Sequence, residues 1–198
     1  MNKNEFLQRF QINSLAASSH KYRYPTKQTK TQLKQSAILL PIIEHKSEYH
    51  SELSILLTKR ASHLRHHGGQ ICFPGGRVDN DDIDMTYTAT REAFEEISLS
   101  PQHCEIIGHL HPYQTISGFT INPVVAFIPA NLEFIANPNE VDEIFEVPLK
   151  HFLNNENLKS IWVQQQNRRY QVHFMPYNHY NIWGATAAIL KDLVDHIR

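Results

Sequence analysis

An α+β fold, with a mixed β-sheet sandwiched between helices, is what the order of elements in this sequence predicts. Two short runs rich in branched apolar residues, SAILLPII and ELSILLTKR, follow one another across a polar stretch, EHKSEYHS, and read as an antiparallel hairpin. Helical periodicity then appears once in the middle of the chain, between Thr86 and Ile97, and again at its end, between Ala185 and Ile197. Strands, one helix, more strands and a closing helix do not alternate as βαβ units do, so a doubly wound parallel sheet is disfavoured.

Residues 1–35 are polar; within them Lys21 to Gln35 carries five basic residues and no acid, and reads as an arm or loose helix ahead of a domain spanning 36–198. In the central helix Ala89, Ala93 and Ile97 share one face, Asp84 is placed to cap the N-terminus, and Ser98 and Pro101 end it. CEIIGHLHPY and FTINPVVAFIP are strand-like, and NEVDEIFEVPL is an acidic segment. A short helix is expected at Leu149 to Leu153, and IWVQQQ with RRYQVHFM forms a second hairpin. No internal repeat or low-complexity tract is evident.

Composition narrows the class without naming a function. Of 198 residues 41% are apolar and 20% charged, which is globular usage, and one domain with a real core is expected. With 19 basic and 20 acidic residues there is no overall field to recruit nucleic acid or an anionic membrane. Cys72 and Cys104 have neither disulfide-framework nor zinc spacing, as expected of buried thiols in a reducing cytoplasm. The apolar runs are too short to span a membrane and the N-terminus lacks a signal-peptide core. His109 and His111 share a strand face but have no third ligand, and read as surface or packing residues.

Chemistry concentrates between Phe73 and Ile97. On a helix Glu92, Glu95 and Glu96 fall within an arc of about 100°. Arg91 can pair with Glu95 at i+4, which leaves Glu92 and Glu96 facing one another without a basic residue of their own. Such a cluster is most often a solvated face, but four of the seven glycines, Gly68, Gly69, Gly75 and Gly76, lie within the nine residues 68–76 just upstream. A glycine loop feeding an acidic helix is a layout for a metal-bound phosphate, and carboxylate oxygens suit Mg²⁺ or Mn²⁺ rather than zinc.

GGRVDNDDIDMTYTATREAFEEISL resembles the signature of the Nudix hydrolases, in which Arg-Glu-apolar-x-Glu-Glu-x-Gly-apolar follows a glycine and a spacer; Arg91, Glu92, Ala93, Glu95, Glu96 and Leu99 match. Three departures stand out. Ser98 replaces the last glycine, the spacer from Gly76 to Arg91 is one residue longer, and the isolated glutamate before the helix is missing, with Asp82 and Asp84 its nearest substitutes. LLTKRASHLRHHGGQICFPGG is similar to the R-x3-G-x3-FPGG segment of the coenzyme A diphosphatase branch, through Arg65, Gly69 and Phe73; SGFTINPVVAFI and IWGATAAIL are similar to that branch too.

The resemblance implies a Nudix fold and hydrolysis of coenzyme A or a derivative, with Mg²⁺ or Mn²⁺, to 3',5'-ADP and 4'-phosphopantetheine. Arg91, Glu92, Glu95 and Glu96 are then the expected catalytic residues, with Glu92 and Glu96 the metal ligands and Glu95 contributing or held by Arg91. The candidates for the base are a helix glutamate and Glu140 or Glu143, whose segment the resemblance places on a loop beside the site. Arg60 and Arg65, whose guanidinium forks match phosphate oxygens, and the Gly75–Gly76 backbone are the expected substrate contacts. His66 and His67 lie inside the same segment. Two alternatives remain open: a Nudix hydrolase of an ADP-sugar or dinucleotide, and a non-catalytic ligand sensor. The expected partner is a small molecule, not nucleic acid or membrane, with a homo-oligomer left open.

Overall fold

The computed structural model describes residues 1–16, 33–48, 50–165 and 168–198. Most of the basic stretch from Lys21 lies outside them. Helix α1 spans Lys3–Ala16 and is followed by β1 (Lys34–Lys46), β2 (Ser51–Arg60), β3 (Ile71–Cys72) and β4 (Gly75–Arg77). Helix α2 (Met85–Ile97), β5 (Glu105–His109), β6 (Tyr113–Gln114), β7 (Phe119–Ile128) and β8 (Val141–Pro148) come next, and α3 (Leu149–Leu153), β9 (Lys159–Gln165), β10 (Arg168–Phe174) and α4 (Gly184–His196) complete the chain.

β1 is the axis of an eight-stranded mixed sheet ordered β3-β2-β1-β7-β5. It runs parallel to β7 along one edge, while its other edge pairs antiparallel first with β4, at residues 36–38, and then with β2, at residues 42–46. Pro41 falls in the gap between them. The Leu39 N–H points toward that edge, to Pro74 O at 2.9 Å, so the N–H that Pro41 lacks two residues later would have had no strand to meet.

Alternation along the strands divides the core in two. Leu40, Ile42, Ile55, Leu57, Val125 and Phe127 face α1, α3 and α4, whereas Ala37, Leu39, Leu56, Val124 and Ala126 face α2, which contributes the fully buried Ala89, Ala93 and Ile97. This is the expected sandwich. β9 and β10 pair as the expected hairpin, in a small separate sheet.

Three expectations need correction. The acidic segment from Val141 is strand β8, paired with β2 from Ser54 to Arg60, so Glu143 lies on a strand and not on a loop. Its acids project from an edge strand, which hides the alternation. His109 ends β5 and His111 lies beyond it, so the two do not share a strand. Residues ahead of position 36 also enter the core, since Phe6 and Phe10 of α1 are 0% and 1% exposed.

Candidate active site

The glycine turn and the acidic helix are built against one another. After buried Phe73 and Pro74 the chain turns at Gly75 with φ +154°, where a Cβ would lie 2.5 Å from Ala37 O and 2.6 Å from Ile38 Cα. At Gly76 a Cβ would lie 2.3 Å from the carboxyl carbon of Glu92, so the absent side chain is the space that this carboxylate fills. The Gly75 N–H donates to Glu96 Oε2 at 3.1 Å.

Asp84 caps α2 as expected, its carboxylate accepting from Tyr87 N at 2.7 Å. Asp82 has a separate role. Its side chain, 1% exposed, takes Arg91 Nε at 3.0 Å and Nη2 at 3.1 Å, and also accepts from Thr88 Oγ1 and Asp79 N. These bonds hold the Asp82 carboxyl far below the usual carboxylate range, the Arg91 fork being the largest cause. Arg91 further donates to Glu92 Oε1 at 3.0 Å, Glu95 Oε2 at 3.1 Å and Arg77 O at 3.2 Å. It is the hub of the helix surface, engaged on all its nitrogens.

Neither Glu92 nor Glu96 is therefore without a cation. Glu92 meets Arg91, and Arg60 Nη1 lies 3.7 Å from Glu96 Oε1, a contact across the strand that helix spacing alone does not reveal. Compensation is nonetheless incomplete. Glu96 is 2% exposed, and burial pushes its carboxyl up to about 8 against the pull of the Gly75 N–H and Arg60. Burial also raises Glu92, with Arg91 opposing it, and Glu140 raises both. Glu95 is half exposed and turned to Arg91.

Of the two further acids considered as a base, Glu140 stands in the turn before β8, close enough to perturb Glu92 and Glu96, while the Glu143 carboxylate, on β8, accepts the Tyr180 hydroxyl. Among the described residues no three acidic, histidine or cysteine side chains are gathered into a ready-made cage. The donor set still fits a hard cation: Mg²⁺ is commonly held through one or two carboxylates, with water and substrate phosphates completing its shell, and buried Glu96 with partly buried Glu92, both under-compensated, are such a pair.

A cleft of about 690 Å³ opens beside the glycine turn. Arg60, Gly75 and Gly76 line it, as do His66, His67 and Cys72, whose thiol burial pushes up to about 11. Arg65 is exposed on the 61–70 loop, adjacent in sequence to the lining histidines. That loop is pinched at its base by Arg60 N to Gln70 O at 2.9 Å and Gly69 N to Arg60 O at 3.0 Å. Among the lining residues that escaped sequence reasoning are Arg77 and Trp183. Trp183 had a signal, being the aromatic of IWGATAAIL.

This geometry agrees with comparisons to known proteins. The NUDIX domain family model matches residues 33–173. A Nudix hydrolase NudL of Enterobacter sp. (strain 638), named as uncharacterized, is 39% identical over 160 residues, 81% of each chain. Its namesake from Salmonella newport (strain SL254) is 38% identical over 190 residues, 96% of this chain and 92% of that one. In fold, the chain is similar to the Nudix hydrolase RenU of M. smegmatis, with a TM-score of 0.50 and 22% identity over 60% of this chain and 72% of that one.

The chain belongs to the Nudix hydrolase family, whose members act on pyrophosphate bonds, here that of a nucleoside diphosphate derivative. Nudix hydrolases generally use divalent ions such as Mg²⁺ or Mn²⁺. No helix among the described residues is long and apolar enough to cross a membrane.

Proposed function

We propose that this protein hydrolyses the diphosphate of coenzyme A or its acyl derivatives to 3',5'-ADP and 4'-phosphopantetheine or acyl-phosphopantetheine. The observation that carries the reading is the double use of the FPGG segment. Its two glycines seat Glu92 and Glu96, and the same segment, with the His66–Gln70 loop, walls the cleft. The residues that resemble the coenzyme A branch are thus the ones that join the acidic helix to the substrate cavity.

Glu92 and Glu96 would hold Mg²⁺ or Mn²⁺, which when bound neutralises diphosphate charge and makes water a better nucleophile. Arg60, already in the cleft beside Glu96, is the phosphate-directed cation. Glu140 is the favoured base, since Tyr180 engages Glu143. Arg91, braced by Asp82, holds Glu92 and Glu95 in place on α2.

Purified protein incubated with coenzyme A, ADP-sugars and dinucleotides, with Mg²⁺ or Mn²⁺, tests this. Coenzyme A is expected to be cleaved to the two named products, and chelation to stop it. Cleavage confined to ADP-sugars or dinucleotides would overturn the substrate, and activity surviving exhaustive chelation would overturn the metal.

A further inference from the structure

The described part of the chain exposes few large aromatic side chains in a concave setting, and Trp183 is one. It is 40% exposed and lines the cleft that also contains Gly75 and Gly76. Its support is rigid. Trp183 makes a β-bridge with Phe174, and the two rings stack 12° from parallel with centroids 6.2 Å apart. The preceding Ile182 is 0% exposed and its carbonyl accepts from Met175 N at 2.8 Å. Three residues later Thr186 Oγ1 donates to Ile71 O at 2.9 Å, tying the first turn of α4 to β3. The indole is thus held nearly parallel to the Phe174 ring, while the residue stays 40% exposed where it lines the cleft.

We infer that Trp183 is the stacking platform for the nucleobase of the substrate, a specificity contact separate from the carboxylates and arginines that handle the diphosphate. The proposal deepens the nucleotide chemistry proposed above and rests on it. A planar, pre-positioned indole matches a planar heterocycle: base–aromatic stacking needs only a free ring face and tolerates any base. A flexible acyl or pantetheine chain packs as well on any apolar wall and has no need of a rigid plane. Other cleft walls come from Ile38, Phe119 and Ile121, and the Arg77 guanidinium lies 5.3 Å from the Phe119 ring, so the cavity offers flat and apolar surface near a cation.

The chain has two tryptophans, and the other, Trp162, sits on the β9–β10 hairpin away from the cleft, with Arg169 over its ring. A full-length Trp162→Phe protein therefore reports on Trp183 alone. Titrating it without divalent metal, with 3',5'-ADP and the four common nucleoside 5'-diphosphates, is expected to quench its fluorescence saturably, and 4'-phosphopantetheine is expected to leave it unchanged. In direct binding measurements Trp183→Leu should weaken the best nucleotide about five- to hundred-fold, with Trp183→Phe retaining most of the affinity.

Quenching by phosphopantetheine and by no nucleotide would overturn the assignment, as would Trp183→Leu binding nucleotide unchanged. Because the quench is read on an unaltered Trp183, the test survives poor folding of the leucine variant. Coenzyme A cleavage without any nucleotide quench would sink this inference and leave the proposed function standing. Nucleotide quenching in a protein that leaves coenzyme A intact would do the reverse.

Discussion

At the level of single residues, Glu96 concentrates the tension between folding and chemistry. Its carboxyl, ordinarily near 4.5, is raised to about 8, so in the metal-free protein it is protonated over a range where the unfolded chain has it ionised. Folding then binds a proton. The penalty is absent below the unfolded value, grows as pH rises through the interval to about 8, and is complete above it. Chelated protein should lose stability on the order of a few kcal/mol across that window. Glu96→Gln, which can still accept from Gly75 N, should flatten the profile while lowering kcat by orders of magnitude. Thermal melts of both proteins with chelator, from pH 4.5 to 8.5, check this; parallel profiles would mean that Glu96 does not titrate there.

Arg65 allows a second test at this scale. It is exposed next to the cleft histidines and is proposed to read the 3'-phosphate that distinguishes coenzyme A from simpler ADP compounds. A hydrogen bond to a charged group contributes about 1.5–3 kcal/mol, so Arg65→Ala should lower kcat/KM for coenzyme A roughly ten- to hundred-fold and for dephospho-coenzyme A far less. Equal losses on both substrates would move Arg65 to the diphosphate; no loss on either would remove it from the site.

Among the elements, α2 shows how the departures from the family pattern are accommodated. Ser98, standing where the family has glycine, adopts φ 58°, the left-handed conformation that favours glycine, while its N–H closes the helix on Phe94 O. The conformation disfavours serine, and the Ser98 Oγ bond to Ile135 O is exposed and long at 3.3 Å. Ser98→Gly should therefore stabilise the protein by about 0.5–1 kcal/mol and raise Tm by roughly 2 °C, without changing kcat. Asp82→Asn should do the opposite, costing about 3 kcal/mol at pH 7 by breaking a buried charged fork. Because the Asp82 pKa is depressed, its contribution is present above about 3.8 and lost as pH falls below it, so wild type and variant should converge in acid.

The same helix shows what sequence can and cannot reveal. Helical spacing suffices for the buried Ala89–Ala93–Ile97 face, the Asp84 cap and the Arg91–Glu95 pair, because these are contacts within one element. The partners of Glu96, Arg60 and the Gly75 N–H, and the glycine that makes room for Glu92 come from β2 and the glycine turn, well upstream of the helix, and no local period encodes them. Apolar runs suffice for β1, β2 and β7. By contrast β3 and β4 are two and three residues long, and β8 carries Asp142, Glu143 and Glu146 on an edge, so neither length nor alternation marks them.

In the molecule as a whole, α1 closes the core face opposite α2. Phe6 packs edge-on to Phe127 with centroids 5.5 Å apart, and Phe10 contacts the His196 ring at 4.7 Å. Asn13 Nδ2 donates to His196 O at 2.6 Å and Arg9 Nη1 to Ile197 O at 3.3 Å, satisfying carbonyls that the end of α4 leaves unpaired. No described residue of α1 lines the cleft, and its phenylalanines lie across the sheet from the acidic helix. Phe10→Ala should therefore act on stability alone. Truncating a buried phenylalanine costs about 3–5 kcal/mol, enough to lower Tm by roughly 10 °C in a chain of this size. The folded fraction should keep its kcat and KM when assayed well below the new midpoint. Removing residues 1–16 tests the same point more severely, by exposing Phe127 and the end of α4 together. If residues 36–198 are a self-sufficient domain with a dispensable arm, the truncated protein should melt close to the full chain. If α1 is part of the core, it should melt far below it, and the phenylalanine variant should already fall part of the way.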